Sequence, residues 1–302
     1  MKTYIEFKKQ RQLGDIISDT FNFIRNELKP FFRTVLQIVG PYLIVFLIAI
    51  SLYGYASYST FGQFISEFSY TTDVGLKSFT GVNIALFIAG IILLIFSVIA
   101  IYTLSHAATL YYIESYADNE GKVDYEAVKD KSKNKFWSFI GLGILVGLMV
   151  GFGFVLCIIP GIYVYVPLSL TYAIMVFRNT SVDDAISASF KLVKNEWWIT
   201  FATLIVIGIL VGIAGSAFGM PAAIYQWVKM GIIPGAMDLN EPAEIFVDPI
   251  YWMLNLLSYA FQYLLNFVTI IASAFIYFNL NERKNFTGTF ETINNIGTQS
   301  ED

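Results

Sequence analysis

The 302-residue chain offers one histidine, His106, and one cysteine, Cys157, for metal or nucleophile chemistry. Metal sites need His, Cys, Asp or Glu at ligand spacing, and no such spacing occurs. A Ser-His-Asp arrangement would have to use His106, which lies in a long apolar run with no acid near it. No glycine-rich phosphate loop follows a strand, because no strand pattern is present. Lys and Arg are mixed with acids and form no nucleic-acid patch. The chain is therefore expected to be no enzyme and to carry no catalytic residue, metal or cofactor.

The chemistry that remains is polar side chains inside apolar segments. Asn255, Tyr259, Gln262, Asn266, Thr269 and Ser273 are separated by 4, 3, 4, 3 and 4 residues. That spacing places them on one face of a helix. Tyr102, His106 and Thr109 form a shorter stripe of the same kind. Lipid gives such groups no partner, so they should face protein or water. Two readings stand side by side: hydrogen bonding between helices, or the lining of a cavity for a headgroup or small polar solute. No expected span holds a formal charge inside it, which argues against a proton-coupled or ion-driven transporter.

The elements that must position these stripes are membrane spans. The chain is 56% hydrophobic and only 14% charged, well below the charge of an ordinary soluble domain. Residues 136–177 and 249–281 contain no Asp, Glu, Lys or Arg. Six apolar stretches are long enough to cross a bilayer. They lie at about 34–56, 82–113, 137–157, 161–178, 199–221 and 252–280. Ile158-Ile159-Pro160-Gly161 predicts a tight hairpin between the third and fourth. Pro41 and Pro167 are expected to kink spans one and four. Residues 222–251 read as a long loop, and Phe61, Phe64, Ile65 and Phe68 as a short interfacial helix.

Charge sets the expected orientation. With the N-terminus in the cytoplasm, six spans leave 17 of the 19 Lys and Arg residues on that side. The outer side keeps Lys77 and Lys229 beside six acids, as the positive-inside rule requires. Trp137, Trp197 and Trp198 then fall at the cytoplasmic interface and Trp252 at the outer one.

A segment is also repeated. Asp15 to Lys29 aligns with Asp184 to Trp198 at an offset of 169 residues, with Ile17, Ser18, Phe21, Asn26 and Glu27 identical to their counterparts. Helical spacing puts Leu13, Ile16, Ile17, Thr20, Phe21, Ile24 and Leu28 on one apolar stripe. Its second copy is Val182, Ala185, Ile186, Ser189, Phe190, Val193 and Trp197. Each copy is expected to form an amphipathic helix at the cytoplasmic interface, the second capped by Ser181. Lys133-Asn134-Lys135-Phe136-Trp137 resembles Lys194-Asn195-Glu196-Trp197-Trp198 and suggests a third copy. Gly143, Gly147 and Gly151, and Gly208, Gly212 and Ser216, have the spacing that lets helices pack closely.

Ile159-Pro160-Gly161-Ile162-Tyr163, then a span, then Ser181 to Phe190 and Trp197-Trp198, resembles the membrane domain of some bacterial glycerophosphodiester phosphodiesterases. It also resembles related bacterial integral-membrane families of unknown function. The resemblance implies a membrane bundle able to stand beside an enzyme, without the hydrolytic activity.

The expected fold is thus an all-α integral-membrane bundle of six transmembrane helices in three tandem hairpins, with cytoplasmic interfacial helices. Residues 1–286 form a single polytopic domain and 287–302 a mobile polar tail, in a bacterial inner membrane with both termini cytoplasmic. The expected role is a lipid-associated scaffold, or an accessory to a partner enzyme or transport system. A transporter or channel for a small neutral solute or lipid is the alternative. The expected partners are membrane lipids and a partner membrane protein or second copy.

Overall fold

Backbone amides in so apolar a chain must bond within their own segment, and helices achieve this. The computed structural model describes residues 4–70, 81–229, 248–288 and 290. Among the described residues every regular element is an α-helix. They are α1 (Leu13–Tyr70), α2 (Gly81–Asp118), α3 (Tyr125–Asn134), α4 (Phe136–Leu156), α5 (Ile158–Leu168), α6 (Thr171–Phe177), α7 (Val182–Val193), α8 (Trp197–Lys229) and α9 (Pro249–Asn285). Six segments are long and apolar enough to cross a membrane: Leu13–Gly54, Ala85–Asp118, Phe136–Leu156, Ile158–Phe177, Trp197–Lys229 and Pro249–Asn285. Each of the six expected spans overlaps one of them, and four of the six run one to three residues past its ends. The expected polar tail falls almost wholly outside the described residues.

The chain divides into two compact units. One comprises Met1–Leu28, Ile113–Val123 and Leu145–Asp302, and the other Lys29–Tyr112 and Asp124–Ile144. In the second unit, α1 and α2 approach closely where Gly90 faces Tyr53. A Cβ on Gly90 would lie 3.1 Å from the Tyr53 Cα. Tyr53 stacks on Phe87 at 5.4 Å, and Phe31 meets Tyr112 edge-on at 5.2 Å. Asp124 caps α3 by accepting from the Glu126 and Ala127 amides, and Val128 and Ser132 bury its inner face.

In the first unit α8 packs along α9, and α7 touches α5, α6 and α9. An irregular segment ahead of α1 is built into this unit. Phe7 stacks on Phe275 at 4.4 Å and meets Phe23, Tyr116 and Phe278 edge-on. The Arg11 guanidinium is fully buried, with Nε 2.8 Å from Asp19 Oδ2 and 4.7 Å over the Phe275 ring. It donates to the carbonyls of Phe7, Lys9 and Glu6. Burial lowers the Arg11 pKa, and the bond to Asp19 opposes that shift.

The turn between α4 and α5 differs from the expectation. Cys157 alone is extended (φ −173°, ψ 155°), and Pro160 and Gly161 already lie in α5. Proline fits there because first-turn amides have no intrahelical acceptor. A Cβ on Gly153 would lie 3.0 Å from the Gly161 Cα, so a larger residue there would press on the facing backbone.

The fourth span is broken rather than kinked. Pro167 ends α5 with Leu168, and a turn at Ser169 and Leu170 leads into α6. Hydroxyls fill the gap: Ser169 donates to the Val166 carbonyl and Thr171 to that of Leu168. Pro41, by contrast, lies within the uninterrupted α1.

The first repeat is not a separate interfacial helix. It runs unbroken into the span as part of α1, whereas the second copy breaks at residues 194–196 before α8. The buried face is also rotated from the expected stripe. Phe23 is fully buried, while Phe21 and Leu28 are nearly half exposed. Ile16, Thr20, Phe23, Phe31, Thr34 and Ile38 are buried, and so are Ala185, Ser189, Leu192, Thr200, Thr203 and Ile207, each 169 residues on. Ser181 accepts from the Asp184 amide at 3.3 Å, as expected of a cap. On α7 the outer positions Asp183, Asp184, Ser187 and Lys191 are exposed.

Two expected surface features are altered. The loop after span five starts later, because α8 continues to Lys229. The short helix at Phe61 to Phe68 is a continuation of α1.

Candidate functional site

The site is built on two long helices of the first unit. α8 carries Gly212, Gly215, Ser216 and Gly219 on neighbouring turns, and such small residues let a facing backbone come close. A Cβ on Gly219 would lie 3.6 Å from the Ser258 Oγ, and one on Gly215 would lie 3.8 Å from the Leu265 side chain. Phe218 stacks face to face on Phe261 at 3.8 Å beside this contact.

Along the seam runs a groove of about 570 Å³. α8 contributes Gly212, Gly215, Ser216 and Gly219, and α9 contributes Gln262, Asn266 and Thr269. Gln262 Nε2 donates to the Ser258 Oγ at 3.2 Å, and both Gln262 and Thr269 remain exposed at the groove. Gly208 and Gly212 have open space where a side chain would stand. The surface is thus a strip of bare helix backbone beside a row of amide and hydroxyl groups. Chemically it can donate and accept hydrogen bonds, and its lining among the described residues carries no charge.

The other members of the expected stripe do not join the groove. Asn255 donates to the Tyr251 carbonyl at 2.9 Å, and Ser273 to that of Ile270 at 2.7 Å. Tyr259 is 63% exposed, on the outer side of α9. Tyr102, His106 and Thr109 belong to the other unit. His106 Nδ1 donates to the Tyr102 carbonyl at 3.1 Å, and the buried Thr109 donates to that of Ser105. The structure therefore brings together Gln262, Asn266 and Thr269 within the first unit, without Asn255, Tyr259 or Ser273. Among the described residues no group of three or more His, Cys, Asp or Glu could hold a metal ion.

At the end of the groove helices, Asp248 caps α9 through the Ile250 amide at 2.8 Å. It accepts from the Tyr225 hydroxyl at 2.5 Å and lies 3.5 Å from Lys229 Nζ. The Tyr225 bond is the largest cause holding the Asp248 carboxyl below the usual aspartate range.

Sequence reasoning missed a second polar assembly. Glu196 pairs with Arg283 at 3.3 Å, and Arg283 also donates to the Arg11 carbonyl. Asn279 accepts from the Arg11 amide at 2.7 Å. Arg178 donates to Tyr277 and Asn281. These bonds tie α9 to the residues just after α6, just before α8 and ahead of α1. Only Glu196, as part of the repeated segment, carried a sequence signal.

A family model described as an uncharacterised protein family (UPF0259) matches residues 12–228. The match runs from the start of α1 to the end of α8 and stops short of α9. No curated protein and no solved structure matches the chain. The match assigns no activity and brings no link to glycerophosphodiester phosphodiesterases. With well over half of its length matched, the chain belongs to the uncharacterised protein family UPF0259.

Proposed function

We propose that the protein is a non-enzymatic membrane bundle that acts as an accessory to another membrane component, by docking a transmembrane helix in the groove between α8 and α9. The observation that carries this reading is the pairing in one groove of a bare glycine strip with Gln262, Asn266 and Thr269. Helices associate in lipid through small residues that admit a backbone and polar groups that bond across the contact. Lipid tails could use the first feature and would leave the second unpaired. The absence of a charge in the groove also suits a helix better than an ion. The excess of Lys and Arg near one set of helix ends favours a bacterial inner membrane with both termini in the cytoplasm.

The groove volume is also within the range of small-molecule sites, which favours a neutral-solute site as the second reading. One variant separates the two. Gly212 is exposed and has no neighbour within 4 Å of an added Cβ, so Gly212→Leu should leave the fold intact. In membranes extracted into native nanodiscs, the wild type should run as a higher-mass assembly and Gly212→Leu as the single chain. An assembly unchanged by Gly212→Leu and by Gln262→Leu would refute helix docking.

A further inference from the structure

A second cavity, of about 350 Å³, lies where α6, α7 and α9 meet. Arg178, Thr180, Ser187, Lys191 and Lys284 line it, together with one carboxylate, Asp184. The left-handed turn at Asn179 (φ 45°) ends α6 and presents Thr180 at the cavity.

Among the described residues, Arg178 and Lys284 bond to neutral groups. Arg178 Nε donates to the Tyr277 hydroxyl at 3.4 Å and Nη2 to Asn281 Oδ1 at 3.1 Å. Lys284 Nζ donates to the Lys191 carbonyl at 2.8 Å. Asp184 accepts from the Ser181 hydroxyl at 2.7 Å, at the start of α7. The Thr180 Oγ1 is buried with no hydrogen-bond partner among the described residues. A buried hydroxyl without a partner costs free energy unless a ligand supplies one. Three positive charges outnumber the single carboxylate, and two hydroxyls stand among them.

We propose that this cavity binds a phosphate group, carried by an anionic phospholipid headgroup or present as free phosphate. A phosphate offers several acceptor oxygens to the Arg178 fork, the two ammonium groups and the hydroxyls. Placement favours this chemistry. Arg178 directly follows the Ile158–Phe177 span, and Lys284 lies in the last turn of α9. Basic pockets at the ends of transmembrane helices sit at headgroup depth.

The test uses the full-length protein in neutral detergent and reads bound probe by native mass spectrometry. The probes are phosphatidylglycerol and, separately, inorganic phosphate. Arg178→Gln with Lys284→Gln should weaken binding of the recognised probe by about tenfold or more. Lys122→Gln with Lys133→Gln, which removes two exposed charges elsewhere, should leave it within about twofold. Lipid binding lost in the first variant, with no phosphate binding, assigns the headgroup. Phosphate binding lost in the same variant assigns free phosphate. Failure of both probes to bind, or equal weakening by both double variants, overturns the proposal. If the first variant does not fold, Ser187→Asp places a carboxylate in the cavity from an exposed position and must weaken binding in the same way. Unchanged binding in Ser187→Asp would likewise overturn it.

Discussion

The indole Nε1 of Trp197 donates to the backbone carbonyl of Tyr163 at 3.2 Å, while the two rings stack at 5.7 Å. That carbonyl is the one that residue 167 would serve in an unbroken helix, and residue 167 is proline, with no N–H to give. Trp197 thus satisfies a backbone group that the proline leaves open. Trp197→Phe should keep the stacking and cost about 1 kcal/mol of stability. Pro167→Ala restores the backbone donor, so Trp197→Phe should cost less in that background. Unfolding in mixed micelles measures both, and an equal cost in the two backgrounds would show that the bond is incidental.

Arg11 anchors the segment ahead of α1 by a second route. Its buried guanidinium serves Asp19 and three backbone carbonyls. Arg11→Met should lower unfolding stability by about 3 kcal/mol or more, because it strands a carboxylate and several carbonyls. Adding Asp19→Asn should return part of that loss. Lys9→Met, whose ammonium is half exposed and 3.6 Å from Asp19, is the control and should cost little. A loss no greater than in this control would remove Arg11 from its structural role.

These two contacts mark what the sequence shows and what it hides. The spans are legible because length and hydropathy alone define them, and the Ser181 cap because its chemistry is local. The buried face of the first repeat is not. In a membrane protein apolar residues face lipid as well as the core, so Phe21 and Phe23 look alike and only packing separates them. The Phe7 and Arg11 segment has no periodicity to read. The Cys157 turn was hidden because Pro160 and Gly161 suit a first helical turn as well as a loop. In α9 the spacing put Gln262, Asn266 and Thr269 on one face, and all three line one groove. It extended the stripe to Asn255 and Ser273, which bond to backbone carbonyls of α9 and do not line the groove, and passed over Ser258, which accepts from Gln262.

Asp248 gives a pH dependence. Its folded pKa lies below the ordinary aspartate value, chiefly through the Tyr225 hydroxyl. A lowered carboxyl pKa contributes stability that is present above the unfolded value and lost as pH falls through the folded one. The wild type should therefore lose stability as pH falls below the ordinary aspartate range. Asp248→Asn keeps a capping oxygen and should show a shallower acid limb in a thermal-melt series. Parallel acid limbs would mean that the contact is not linked to folding.

Orientation is tested by single cysteines in a Cys157→Ser background. A cysteine at Asp238 should react with an impermeant thiol reagent in intact cells, and one at Asn119 only after lysis. Labelling of the Asn119 position in intact cells would reverse the proposed topology.

The docking groove is tested most directly by a photoreactive benzophenone side chain at Met220, which lines it. Illuminated in membranes, this position should give one protein adduct of discrete mass, and Gly212→Leu should abolish it. The same probe at Ile144 on α4, exposed and far along the chain from the groove helices, should not give that adduct. Lipid adducts alone at Met220, or a protein adduct that survives Gly212→Leu, would contradict the account.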